Sequence, residues 1–100
     1  MTKIENYYVV AMEECSEIQK AISKSMRFGL NDHHPNNPNS TNKYEILEEY
    51  YQLQAVIEWL KQFGGLDDLS KEEVGRIKVD KLKKVNKFMQ YSLSSGFVHE

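Results

Sequence analysis

Three glutamates fall within five positions of the stretch "MEECSEIQKAISKSMRFG", residues 12–29, and three basic residues follow further along it. Glu13, Glu17, Lys20, Lys24 and Arg27 are spaced by three and four. A helix over this stretch carries them in one row, with Glu14 beside Glu17 at i, i+3. A second row occupies "EILEEYYQLQAVIEWL", residues 45–60, where Glu45, Glu49, Gln52, Val56 and Trp59 share a face and Glu48 lies next to it. Carboxylates from two helices brought face to face repel one another unless a cation holds them. Oxygen donors without cysteine or paired histidine among them suit Mg²⁺ or Mn²⁺. Magnesium takes a few carboxylates, keeps waters and completes its shell with phosphate oxygens. Lys20, Lys24 and Arg27, one to three turns further on, are spaced to meet the outer phosphates.

Each feature also has an ordinary reading. A glutamate-rich helical face is commonly a solvated one. Glu17–Lys20 is an i, i+3 ion pair, and Lys24 and Arg27 are favourable charges near a helix C-terminus. His33 and His34 fall in a loop and read as solvent-exposed. Cys15 reads as a small core residue, and Trp59 with Tyr7, Tyr8, Tyr50 and Tyr51 as core or interface before a base-stacking set.

Three helices must position these rows. Ile4, Tyr8, Ala11, Cys15, Ile18 and Ile22 give the first an apolar stripe, which Phe28-Gly29 ends. "LNDHHPNNPNSTN" holds both prolines and five asparagines and reads as a loop long enough to be functional. Ile46, Tyr50, Leu53, Ile57 and Leu60 form the stripe of the second helix, closed by "FGG" at 63–65. Ser70 and Glu73 form a capping box for a third helix, which carries Val74, Ile77, Leu82, Val85, Phe88 and Met89 and stops near Gly96. The expectation is a single all-α domain over residues 1–100, a bundle of three main helices. Pairing the first two stripes would bring the carboxylates together along one edge. Stripes this narrow in so short a chain favour pairing between subunits too, as a homodimer or homotetramer.

Bulk composition narrows the function classes. A formal net charge of −2 with no clustered basic excess argues against a nucleic-acid partner. No apolar run reaches the roughly 20 residues of a membrane span. The opening "MTKIENYY" has no hydrophobic signal core, and a lone cysteine allows no intrachain disulfide, so a cytoplasmic protein is expected.

"EECSE" followed by "EILEEYYQLQAVIEWL" resembles the MazG-like nucleoside triphosphate pyrophosphohydrolases, whose hallmark is Glu-Glu-x-x-Glu on one helix and Glu-x-x-Asp on a second. "SKSMRFGLNDHHP", "AVIEWL" and "KLKKVNKFMQYS" extend the resemblance to a small phage- or bacterium-type branch, over about residues 8–92. The resemblance implies Mg²⁺-dependent cleavage of a nucleoside triphosphate to monophosphate and pyrophosphate, in nucleotide-pool housekeeping. Glu14, Glu17 and Glu49 match metal ligands, and Gln52 occupies the fourth ligand position, where the family has aspartate. Glu13 and Glu48 are candidates for holding the attacking water, and Lys24 and Arg27 for the phosphates, with the base near the 31–42 loop. Gln52 brings a neutral amide in place of a charge. It leaves open a weakened, nucleotide-binding relative and, beyond that, a helical interaction module without activity.

Overall fold

The computed structural model describes residues 1–100 and is all-helical. Helices α1 (Lys3–Phe28), α2 (Asn42–Phe63) and α3 (Lys71–Ser94) are joined by loops without a β-strand, apart from an isolated bridge between His33 and Thr41. None of the three is long and apolar enough to cross a membrane. The chain forms two compact units, Met1–Asp67 and Asp68–Glu100.

The first unit is an antiparallel hairpin of α1 and α2. Thr2 and Thr41 cap the helix starts, their hydroxyls accepting from the Glu5 and Tyr44 amides. α1 ends at Phe28, as its sequence predicts, and Gly29 takes φ +100°, a region that a side chain disfavours. The hairpin closes through Asn42. Its buried side-chain amide donates to the Gly29 carbonyl at 2.8 Å, and its backbone N–H donates to Asp32. At the other end, the Tyr8 hydroxyl reaches the Gly64 carbonyl at 3.0 Å, and Tyr7 stacks on Trp59 with ring centroids 3.7 Å apart.

The line of contact follows two heptad rows. Of the buried or half-buried residues, Tyr7, Ala11, Glu14, Ile18, Ala21 and Ser25 lie on these rows of α1 and Asn42, Ile46, Glu49, Leu53, Val56 and Leu60 on those of α2, with Val9, Val10, Glu45, Ile57 and Trp59 half-buried beside them. The stripes expected to pair are buried or half-buried at Ala11, Ile18, Ile46, Leu53, Ile57 and Leu60. Tyr8, Cys15, Ile22 and Tyr50 are exposed instead, so Cys15 is not a core residue. The physical reason is size. Ala11, Ala21 and Ser25 let the backbones approach closely, and Ser25 satisfies its hydroxyl on the Ala21 carbonyl at 3.0 Å. Leu60 is fully buried, and a Cβ on Gly64 would stand 2.7 Å from its Cδ2, so glycine is needed where the chain turns away.

The second unit is built on α3. The Ser70 hydroxyl accepts from the Glu73 amide at 3.1 Å, as the capping box predicts. The Glu73 carboxylate turns to Arg76, which also reaches Asp80 at 3.2 Å. The end comes at Ser94, with Gly96 at φ +80°.

Leu60→Ala should lower stability by about 2–5 kcal/mol, because it opens a cavity in the one fully buried apolar position of the seam. Asn42→Ala should cost about 0.5–1.5 kcal/mol by removing the buried amide's hydrogen bond to the Gly29 carbonyl, which keeps only the longer one from the Asp32 N–H at 3.3 Å. Urea unfolding followed by circular dichroism measures both; an unchanged midpoint for Leu60→Ala would remove the seam as described.

Candidate functional site

The seam that admits small residues also admits two carboxylates. Glu14 and Glu49 occupy heptad positions that apolar side chains would normally fill, and both are half-buried. The acidic rows therefore do not merely flank the contact between the helices, as the sequence suggested; one acid from each helix lies within it. Glu17 and Glu48 stand outside the seam and are exposed, and Glu45 is half-buried.

Glu49 feels all of them. Partial burial raises its pKa first. The negative charges of Glu14, Glu17 and Glu48 then add to the rise, as does a hydrogen bond to Glu14 that only the protonated acid can donate. Gln52, one turn after Glu49, lies against the same pair. With the amide turned so that its nitrogen faces the carboxylates, it donates to Glu49 Oε2 at 3.0 Å and to Glu14 Oε2 at 3.3 Å. A neutral side chain thus ties the two acids together across the seam.

Beside this pair lies an open cleft of about 240 Å³, lined by Glu17, Lys20, Ala21, Lys24, Glu45 and Glu49. Lys24 reaches Glu45 Oε2 at 2.5 Å, and Lys20 approaches Glu17 at 3.8 Å. Lys24 also lines a neighbouring cavity of about 300 Å³ with Phe28, Asp32, His33, His34 and Asn42, so one ammonium serves both spaces. On the other flank of α2, Tyr44, Leu47, Glu48, Tyr51, Gln52 and Ala55 surround a more apolar cavity of about 540 Å³.

Of the residues singled out in the sequence, Glu14, Glu17, Glu48, Glu49, Gln52 and Lys24 come together here. Glu13 is exposed and lines none of these spaces; Arg27 places its guanidinium over the Phe28 ring, 5.0 Å from the centroid. Trp59 is engaged with Tyr7 and Phe63 and is a structural residue. Glu45 and Lys20 shape the cleft more than the motif spacing alone indicated. No group of three or more acidic, histidine or cysteine side chains stands at metal-ligating distances. The donor set is nevertheless of the kind a hard divalent ion takes: carboxylates in mutual repulsion, with Glu17 and Glu48 exposed.

The chain matches no protein-family model, no curated protein and no solved structure. What the site can do follows from its chemistry.

Two measurements test this electrostatic picture in metal-free buffer. An acid with a raised pKa stabilises the fold below its ordinary value, here 4.5, and that contribution is lost as pH rises through the raised value. Glu49→Gln should therefore flatten the fall in melting temperature above pH 4.5 relative to the parent; parallel profiles would refute the repulsion. Gln52→Asp removes both donated hydrogen bonds and adds a further negative charge. It should destabilise the metal-free protein by about 1–3 kcal/mol. An equal or higher melting temperature would mean that Gln52 does not hold the pair.

Proposed function

We propose that the protein is a nucleoside triphosphate pyrophosphohydrolase dependent on Mg²⁺, with Mn²⁺ as a substitute. The observation behind this reading is the placement of Glu14 and Glu49 in the helix seam, with Glu17 and Glu48 beside them and a lysine-lined cleft alongside. Buried like charges lower stability, and their retention at a seam is the kind of local conflict that functional sites carry. The resemblance of "EECSE" and "EILEEYYQ" to the MazG-like pattern agrees with it.

Glu14, Glu17 and Glu49 would hold the ion, with rotamer changes at the exposed Glu17. A bound divalent ion supplies charge neutralisation at the phosphate oxygens. Glu48 is the better-placed residue for orienting the attacking water, since its charge is felt by Glu49, whereas Glu13 lines no cleft. Glu48 takes a proton from that water as its oxygen bonds to phosphorus. The bond to the oxygen bridging the α and β phosphates breaks, and pyrophosphate leaves with the bonding pair. Lys24 binds the phosphate chain with the donors that Glu45 does not occupy, and Lys20 and Arg27 lie on the same row. Lys24 also borders the cavity beside His33 and His34, which gives a triphosphate bound in the cleft a space for its base or sugar.

Gln52 favours a second reading. Its amide donates to the acids that would hold the ion, and it brings no charge of its own. In that reading the protein binds nucleotide and turns it over slowly or not at all. A helical interaction module without a ligand is the third reading.

Millimolar Mg²⁺ should raise the melting temperature, because it relieves repulsion only in the folded state. A panel of triphosphates with Mg²⁺ should yield monophosphate and pyrophosphate. Glu17→Gln should lower the rate at least about tenfold with helical content intact. Triphosphate held without turnover selects the second reading. Absence of both metal and triphosphate binding selects the third.

A further inference from the structure

Glu45 lies outside the Glu-Glu-x-x-Glu and Glu-x-x-Gln positions, yet it lines the cleft. Its place is set by α2. The helix starts on the Thr41 cap, and Glu45 is its first acid, donating its backbone N–H to the Thr41 carbonyl at 3.0 Å. Negative charge is favoured in that turn. Glu49 follows one turn later on the same face. From α2 the Glu45 carboxylate crosses to α1 and meets the Lys24 ammonium at 2.5 Å. Only 29% of the Glu45 side chain is exposed, so salt and solvent screen this pair less than the more exposed pair of Lys20 with Glu17.

The pair changes what the cleft offers a polyphosphate. Lys24 keeps further N–H donors, but Glu45 matches its positive charge at contact distance. Three carboxylates line the cleft, Glu17, Glu45 and Glu49, against two ammoniums, Lys20 and Lys24, a net charge of −1 where an anion is to sit. Glu14 adds a further negative charge beside Glu49. A triphosphate without a cation therefore meets hydrogen-bond donors with no net attraction behind them. A divalent ion held by Glu14, Glu17 and Glu49 would cancel the excess. Without Glu45, the Lys24 ammonium would attract the bare anion by itself.

We infer that Glu45 is a specificity-determining residue: by matching the charge of Lys24, it makes the cleft reject a bare polyphosphate and accept one only together with a divalent ion. The inference rests on the triphosphate reading of the cleft. The ligand class is then the complex of a divalent cation with a polyphosphate, and the free anion is the competitor excluded. Selectivity of this kind comes from a repulsive element placed beside an attractive one. Its reach extends beyond the cleft, because Lys24 also borders the cavity beside His33 and His34. As a tie between the helices alone, an ion pair this open to solvent adds little.

Isothermal titration calorimetry at constant ionic strength tests this without turnover. The probes are α,β-methylene analogues of the nucleoside triphosphates, which the proposed cleavage cannot break. The parent should bind an analogue with Mg²⁺ and lose at least a hundredfold in affinity in EDTA. In EDTA, Glu45→Gln should bind the analogue at least tenfold more tightly than the parent. Glu45→Asp keeps the charge and should behave as the parent. Glu58→Gln makes an equal change in net charge at an exposed position outside the cleft and should leave the metal dependence unchanged. Failure of every analogue to bind with Mg²⁺ removes the triphosphate reading and the inference with it. Where the parent binds, an unchanged metal dependence in Glu45→Gln overturns the inference alone. An equal gain in Glu58→Gln, or a parent that binds as tightly in EDTA, does the same. Mg²⁺ titrated without nucleotide should bind Glu45→Gln; its loss would make Glu45 a ligand and overturn the inference. Far-UV circular dichroism reports folding, and a Glu45→Gln chain that does not fold would make the pair structural and overturn it as well.

Discussion

The close approach of α1 and α2 governs everything else in the hairpin. Ala11, Ala21 and Ser25 present almost no side chain to α2, so the seam is thin, and Leu60 and Asn42 anchor its α2 side. A thin seam leaves little room between heptad positions. Whatever occupies them is held against the opposite helix, and two of the occupants are Glu14 and Glu49. A thicker seam filled by leucine and isoleucine would hold these carboxylates further apart and leave them better solvated.

That geometry sets up an electrostatic imbalance with a definite pattern. At the edge of the cleft the charges are matched, Lys24 with Glu45 and Lys20 with Glu17. Toward the seam they are not: Glu49 is opposed by Glu14, Glu17 and Glu48, and the neutral Gln52 reaches both Glu49 and Glu14. Surface ion pairs of the first kind contribute little to stability, about 0–1 kcal/mol each. Like charges in the second arrangement subtract from it. The stability for tolerating them comes from the anchors at the two ends of the hairpin, the Asn42–Gly29 closure and the Tyr7–Trp59 stack. A proton relieves the repulsion at Glu49, whose pKa is raised in the folded state.

The same thin seam explains the apolar surface left over. The hairpin buries alanine, serine and glutamate where its sequence offers isoleucine and tyrosine one position away. Tyr8, Cys15, Ile22 and Tyr50 therefore end outside the contact between the helices. The acidic cleft and this exposed apolar surface lie on different faces of the hairpin.

Much of this was legible in the sequence. The helix ends at Phe28, Phe63 and Ser94 follow from local signals, since Gly29, Gly64 and Gly96 act within a turn of where they stand and the Ser70 cap needs only its own amides. The acidic rows were visible too, because residues three and four apart share a helix face wherever the helix lies. The rotation of each helix about its axis was not. Periodicity favours the stripe richest in large apolar residues, but packing rewards close approach, and small residues outside that stripe win at Ala21 and Ser25. That choice, made between two helices and not within either, moved Glu14 and Glu49 from the flank into the seam. It set Gln52 within hydrogen-bond reach of both carboxylates and left Cys15 in solvent. The sequence by itself determined which residues are helical and which acids share a row; the tertiary contact decided which face each helix turns inward, because only two surfaces together have a fit.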